Sequence, residues 1–173
     1  MNLEQSHSFS LKNDDSQLQI QKRCLPHWEL AGSVYFVTFN TWEKLELTHE
    51  ARKNVLNCCL FFDASQQKNK VRYHTFALVI MPDHVHGLVQ PLPKDETEYW
   101  SLSSILHSIK SYSSKQIPKV MKHIGIVWQD ERYDRIIRDH QEFLNTWHYI
   151  RQNPVKANLV ETPEDYPFLW EEF

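Results

Sequence analysis

The segment ALVIMPDHVHGLVQ, residues 77–90, constrains the fold more than any other part of the chain. Two apolar runs flank Pro82-Asp83, a pair typical of turns because proline presets φ and aspartate hydrogen-bonds its own backbone. The pattern predicts a β-hairpin whose second strand begins at His84. Because alternate residues of a strand point to the same face, His84 and His86 are predicted to lie side by side, with Val85 on the opposite face.

Periodicity elsewhere predicts the rest of the fold. Strand patterns occupy residues 33–42 and 71–81, and residues 124–139 read as a strand or an irregular β-hairpin. Apolar residues at helical spacing predict helices over 48–66, 101–117 and 141–152. Ser101 is the predicted N-cap of the second helix, Pro118 its predicted end, and Asn153-Pro154 the predicted end of the third. The order β-α-β-β-α-β-α indicates an α+β fold, an antiparallel sheet with helices packed on one face and a C-terminal helical extension.

The two ends of the chain differ in character. Residues 1–25 are polar and lack periodicity, which predicts a flexible N-terminal tail, whereas the aromatic residues after Glu161 predict a C-terminal segment docked on the body. The first residues contain no apolar core typical of a signal peptide, and no apolar run reaches the ~20 residues of a membrane span. The 3 cysteines show no disulfide spacing. These features predict a cytoplasmic protein.

Charge is distributed unevenly, although the net formal charge is only −3. Residues 101–156 carry nine Lys or Arg against five Asp or Glu, and residues 157–173 carry five acids and no base. A local basic region, more than total charge, governs phosphate binding. The central region therefore predicts a nucleic-acid surface, with a solvated mixed-charge surface as the alternative.

The histidine pair has the chemistry of a metal site, since two neutral imidazoles on one face can bind one divalent cation. The alternative is a pair of hydrogen-bonded histidines at a sheet surface. In the helix over 101–117, Tyr112 and Gln116 lie four residues apart and so share a face beside the apolar stripe. Gln116 is a candidate third ligand and Tyr112 a candidate reacting group. Alternatively, Tyr112 extends the core and water satisfies the Gln116 amide.

Four segments together resemble one family. His84-Val85-His86 resembles the His-hydrophobic-His motif of the HUH endonuclease superfamily, and SIKSYSSKQI resembles the helix that carries the nucleophile of its single-tyrosine transposases. VWQDERYDRIIRD and YIRQNPVKANLV resemble the downstream segments of REP-associated tyrosine transposases. The resemblance implies an RRM-like sheet, with residues 26–173 forming one such domain.

The same resemblance implies a mechanism. A Mg²⁺ or Mn²⁺ ion would be held by His84, His86 and Gln116, and Tyr112 would cut single-stranded DNA hairpins through a 5′-phosphotyrosine intermediate. Lys110 and Lys115 would favour the phenolate. Basic residues interleaved with aromatic ones suit single-stranded DNA, which predicts further DNA contacts. The predicted DNA-binding residues are Lys110, Lys115, Trp128, Arg132, Arg135 and Arg138; the alternative is a solvated helix face and a core tryptophan.

Two other functions stay open at this point. One is a non-catalytic module that binds DNA hairpins, and the other is a metal-dependent phosphoesterase acting on small substrates. Some members of the superfamily exchange the tyrosine helix in a dimer, whereas the resemblance to the REP-associated branch implies a monomer. The long segment after Pro118 favours that branch here. The sequence leaves open the hairpin sequence, the metal used and whether the protein moves an element or maintains repeats.

Overall fold

The computed structural model describes residues 19–21, 27–66 and 70–172. Two short strands, β1 (Gln19–Gln21) and β2 (His27–Glu29), pair antiparallel with each other. Five further strands form one antiparallel sheet in the order β6-β3-β5-β4-β7. They are β3 (Tyr35–Thr41), β4 (Tyr73–Ile80), β5 (His84–Pro91), β6 (Trp128–Ile136) and β7 (Leu169–Glu171). The helices are α1 (His49–Leu60), α2 (Leu102–Met121) and α3 (His140–Lys156). The predicted α+β fold with an antiparallel sheet is confirmed.

The helices occupy both faces of the sheet. Ile105 and Ile109 of α2 line a small cavity together with Val37 of β3 and Val85 of β5, so α1 and α2 pack on the face to which Val85 points. The C-terminal helix α3 packs on the other face, where its Tyr149 contacts rings of β3 and β5. The sheet is therefore sandwiched, with the two N-terminal helices sharing one face and α3 crossing the other.

Side-chain caps start all three helices. The side chain of Thr48 accepts a hydrogen bond from the Ala51 N–H, Ser101 from the Ser104 N–H, and Asp139 from the Glu142 N–H. Each bond satisfies a backbone donor that has no partner within the helix, which confirms the Ser101 cap expected from the sequence.

Two predicted helix ends require correction. Helix α2 continues through Pro118 to Met121, and α3 continues through Pro154 to Lys156. Both prolines lie in the last turn, where the missing N–H costs a single hydrogen bond and the helix is about to end anyway. Helix α2 ends instead at Lys122, whose left-handed backbone (φ 53°) closes it.

The C-terminal segment docks on the body, as its aromatic residues predict. Strand β7 pairs with the outer edge of β4, and Tyr166 and Phe168 are buried. The Tyr166 hydroxyl donates to the Ile80 carbonyl at 2.8 Å, and Arg151 of α3 pairs with Glu164 and Glu171. The acidic tail thus covers the sheet edge opposite β6.

Most of the predicted flexible tail, residues 1–25, lies outside the described residues, and the part described, residues 19–21, is strand β1. Within the described ranges, no helix has the length and apolar character needed to cross a membrane.

Candidate active site

The two histidines meet on the α3 face of the sheet. Their ring centroids lie 4.7 Å apart, which confirms that they share a face as the strand period predicts. The Nδ1 atom of His84 lies 2.6 Å from Asp83 Oδ1, and the Nδ1 atom of His86 lies 2.7 Å from Thr38 Oγ1. A carboxylate only accepts, so the proton of neutral His84 sits on Nδ1 and its Nε2 presents a lone pair. Both rings are oriented through Nδ1, which is the pattern of metal-binding histidines.

Burial keeps His86 neutral. Its side chain is 6% exposed and stacks on Phe36, with ring centroids 5.5 Å apart. Desolvation, and then the neighbouring His84, lower the pKa of His86 to about 3. At neutral pH the imidazole therefore offers a lone pair to a cation or to a hydroxyl proton.

A tyrosine of α3 faces this pair. The Tyr149 hydroxyl lies 3.5 Å from His86 Nε2, and the two ring centroids lie 5.3 Å apart. Tyr149 also packs edge-on against Phe36, and the Lys156 Nζ atom lies 5.5 Å from the Tyr149 ring centroid. The side chain is 42% exposed, so its hydroxyl is both close to a histidine and accessible from solvent.

Asn153 extends the same face of α3 by one turn. The buried residues of α3 are Thr146, Ile150 and Pro154, which define the side that faces the sheet. Tyr149 and Asn153 flank that stripe four residues apart, so they share a face, and Asn153 is half-buried. Its amide oxygen is a hard ligand of the kind that Mg²⁺ and Mn²⁺ accept.

A comparison with known protein families covers the residues of this site. The family model described as "Transposase IS200 like" matches residues 47–153, more than half of the chain, a span that includes both histidines and Tyr149. The chain belongs to the IS200-like transposase family.

Two curated relatives, both from Haemophilus influenzae, are similar to this chain. One, assigned provisionally as a REP-associated tyrosine transposase, is 30% identical over 105 residues, covering 56% of this chain and 57% of that protein. The other, uncharacterised, is 30% identical over 95 residues, covering 44% of this chain and 52% of that protein. The chain thus spans about half the length of the curated relatives it matches.

A solved structure shares the fold. A REP-associated tyrosine transposase bound to a REP hairpin superposes with a TM-score of 0.63 at 20% identity, over 86% of this chain and 82% of that one. The resemblance read from the sequence is therefore supported by a family model, a curated relative and a fold.

The structure places Tyr112 and Gln116 away from the histidines. Both lie on α2, which packs on the Val85 face, whereas His84 and His86 point to the α3 face. The Tyr112 side chain is 60% exposed, and the Gln116 amide oxygen lies 3.5 Å from Lys119 Nζ. The shared site that the sequence predicts for Tyr112, Gln116 and the histidines does not form within one chain, because the sheet lies between α2 and the histidine face.

Sequence reasoning missed the second tyrosine although the signal was present. Tyr149 and Asn153 repeat the spacing of Tyr112 and Gln116, a phenol and an amide four residues apart on a helix. Periodicity alone does not reveal which face of the sheet a helix covers. The hydrogen-bond distance from Tyr149 to His86 supplies that information.

Several predicted DNA-binding residues have structural partners within the fold. Trp128 is 5% exposed, and its indole N–H donates to Ser113 Oγ at 2.9 Å, so it belongs to the core and has no free face for a base. Lys110 donates to the carbonyls of Gln129 and Asp130, which ties α2 to β6.

Arg132 is likewise a structural residue. It is 7% exposed, lies 2.8 Å from Asp134 Oδ1 and 3.6 Å from Glu29 Oε1, and donates to Ser103 Oγ. The Glu29 carboxylate also accepts from the Ser103 N–H, so Arg132 joins β2, α2 and β6. Its prediction as a DNA contact is corrected by this burial.

The remaining predicted contacts stay accessible. Lys115 is exposed on α2, and Arg138 is 81% exposed beside Glu142. Arg135, 36% exposed, also pairs with Glu142, so one carboxylate serves two guanidinium groups and the cluster keeps a positive charge. Arg135 and Arg138 lie at the β6–α3 junction on the histidine side, whereas Lys115 lies on the opposite helix.

We predict that Arg132→Ala destabilises the fold and Lys115→Ala does not. Removing Arg132 leaves the buried Asp134 and Glu29 carboxylates without their arginine, which typically costs about 3–5 kcal/mol. Urea unfolding followed by circular dichroism measures the free energy of unfolding of both variants. If Arg132→Ala is as stable as the wild type but binds DNA more weakly, Arg132 is a DNA contact and its structural role is contradicted.

Proposed function

We propose that this protein is a metal-dependent single-strand DNA endonuclease and strand transferase that acts on DNA hairpins with Tyr149 as its nucleophile. The observation that supports this most directly is the Tyr149 hydroxyl 3.5 Å from Nε2 of a buried, neutral histidine. The family assignment supports a transposase in general. The solved neighbour bound to a REP hairpin supports hairpin DNA as the substrate class.

The tyrosine performs a phosphoryl transfer. The Tyr149 oxygen forms a bond to phosphorus while the bond from phosphorus to the 3′ oxygen breaks, which leaves a 5′-phosphotyrosine and a 3′-hydroxyl. The phenolic proton of the solvent-accessible Tyr149 passes to water, and the departing 3′ oxygen takes up a proton from water, so the Nε2 lone pairs of the histidines stay available to the cation. Because the phosphotyrosine keeps the bond energy, a 3′-hydroxyl can attack it later and rejoin the strands.

The donor set on the histidine face fits a divalent cation. His84 presents an Nε2 lone pair with Nδ1 held by Asp83, His86 would do so with Nδ1 donating to Thr38, and Asn153 of α3 would contribute an amide oxygen. Among the described residues no three His, Cys, Asp or Glu side chains cluster at metal-binding distance, and the neutral amide oxygen of Asn153 would complete the ligand set. Mg²⁺ or Mn²⁺ bound there would polarise the scissile phosphate.

Tyr112 is the alternative nucleophile if two copies of the chain form a dimer. Its exposed ring on the outer side of α2 can reach a histidine pair only in a second copy of the chain, which requires a dimer. Tyr149 reaches His86 within its own chain and needs no partner. A monomer is therefore the assembly that goes with Tyr149.

We predict that Tyr149→Phe abolishes the covalent protein–DNA adduct and that Tyr112→Phe retains it. Phenylalanine keeps the ring packing on Phe36 and removes only the attacking oxygen, so hairpin binding should stay within about threefold of wild type. Denaturing gels with labelled hairpins in Mn²⁺ measure the adduct, and fluorescence anisotropy measures binding. Loss of the adduct in Tyr112→Phe alone would assign the nucleophile to α2.

The same assay separates the alternatives. Tight hairpin binding with no adduct in any wild-type preparation would indicate the non-catalytic module. Hydrolysis of small phosphoesters without an adduct would indicate the phosphoesterase.

Metal binding tests the ligand set independently of cleavage. Isothermal titration with Mn²⁺ should show affinity lowered about tenfold or more in His86→Ala and Asn153→Ala, because each removes one protein ligand. Gln116→Ala is the matched control, an amide truncated on the opposite face, and should bind Mn²⁺ like wild type. Weaker binding in Gln116→Ala with unchanged Asn153→Ala would contradict the assignment.

A further inference from the structure

Tyr133 lies in one row with the histidine site. On β6 it is paired with Thr38 of β3, and Thr38 is paired with His86 of β5. Residues paired across neighbouring strands point to the same face, so Tyr133 and His86 both face α3. Adjacent strands are about 5 Å apart, which separates the two backbones by about 10 Å. That distance is comparable with one or two nucleotides of single-stranded DNA.

An unbroken aromatic surface joins the two residues. Phe36 stacks on His86 at an interplanar angle of 26°, and Tyr133 packs edge-on against Phe36 with ring centroids 6.2 Å apart. Phe36 is 8% exposed and Tyr133 52% exposed. The buried rings therefore support Tyr133, which forms the solvent-facing end of the surface on the edge strand β6.

Exposure alone does not distinguish Tyr133, because single exposed aromatic residues are ordinary. Its support does. A ring held by Phe36, in register with His86 and close to the proposed nucleophile, is already oriented before any ligand arrives. Preorganised aromatic rings of this kind are what sequence-tolerant base stacking uses.

Cations flank the same surface. The Arg135 guanidinium lies 5.5 Å from the Phe36 ring centroid, and the Lys156 ammonium lies 5.5 Å from the Tyr149 ring centroid. Glu142 pairs with both Arg135 and Arg138, so these two guanidinium groups share one carboxylate beside β6. Arg135 and Lys156 are therefore the cations available to the phosphates of a strand bound at this face.

We propose that Tyr133 is the stacking platform for an unpaired nucleobase next to the phosphate that Tyr149 attacks. The inference rests on the proposed function and adds a subsite to it. A base within a duplex is already stacked on its neighbours, so only an unpaired nucleotide can occupy the platform. Tyr133 thereby selects a single-stranded cleavage point beside the hairpin and tolerates any base identity.

Hairpin binding in the Tyr149→Phe background tests the platform without turnover. The probe is a fluorescein-labelled DNA hairpin with unpaired flanks, selected on the wild-type protein from a randomised pool. Tyr133→Ala should lower affinity about 5- to 100-fold, the range for losing one stacked base. Tyr133→Phe should stay within about threefold of its parent, since the ring is kept. Tyr99→Ala, an exposed tyrosine beyond the far end of β5, is the matched control and should bind normally.

Abasic scanning locates the contacted nucleotide. Each unpaired position of the hairpin is replaced in turn by an abasic site, and its effect is measured with and without Tyr133→Ala. At the stacked position the two losses should not add, whereas at every other position they should. Circular dichroism melting checks that Tyr133→Ala remains folded; if it does not, Tyr133→Leu, which keeps apolar bulk on Phe36 but removes the aromatic face, carries the test with the same expected loss.

The outcomes separate this inference from the proposed function. A Tyr149 adduct with no position coupled to Tyr133 overturns the platform and leaves the nuclease intact. Coupling at one unpaired position without any adduct supports the platform and refutes cleavage. Equal affinity losses in Tyr133→Ala and Tyr133→Phe would assign the effect to the hydroxyl and overturn stacking.

Discussion

Alternation of side chains along β5 decides what each face of the sheet can do. Val85 points to α1 and α2, where it closes the core, while His84 and His86 point to α3. Gly87, two residues after Val85, lies on the same core side, and a Cβ there would approach Val37 Cγ2 at 3.3 Å. A register slip of one residue would exchange the faces and bury both imidazoles among apolar side chains. The apolar core and the candidate site are therefore specified by the same strand.

The site depends on how α3 is held over that face. Arg135 of β6 donates to Thr146 Oγ1 at 3.1 Å, and Phe143 packs edge-on against Phe76 of β4. Arg151 pairs with Glu171 of β7, so the acidic C-terminal segment anchors the helix at the opposite sheet edge. These contacts place Tyr149 beside His86. Two acidic side chains of the tail, Glu164 and Glu171, are thus used in ion pairs with Arg151 away from β6.

Local signals in the sequence predicted most of the fold, whereas features set by tertiary contacts were not predictable. The Pro82-Asp83 turn, the histidine pair and the Ser101 cap are specified by neighbouring residues, and each is confirmed. The side of the sheet covered by each helix is set by contacts distant in sequence. Tyr112 and Tyr149 are each followed four residues later by an amide side chain, so only the packing of their helices distinguishes them.

Burial explains the other differences. Trp128 and Arg132 read from the sequence as DNA contacts because tryptophan and arginine suit both nucleic acid and a core. Their partners, Ser113 and Asp134, lie 15 residues before and two residues after them, and neither pairing follows from a periodic pattern. Residues that can serve either purpose are assigned by exposure, which a single sequence does not report.

The central claim is that the phosphotyrosine forms on α3 of the chain that supplies the histidines. Peptide mapping of the trapped protein–DNA adduct tests it most directly: after nuclease and protease digestion, mass spectrometry locates the peptide that carries the residual nucleotide. We expect the mass increment on Tyr149. An increment on Tyr112, with Tyr149 unmodified, would contradict it.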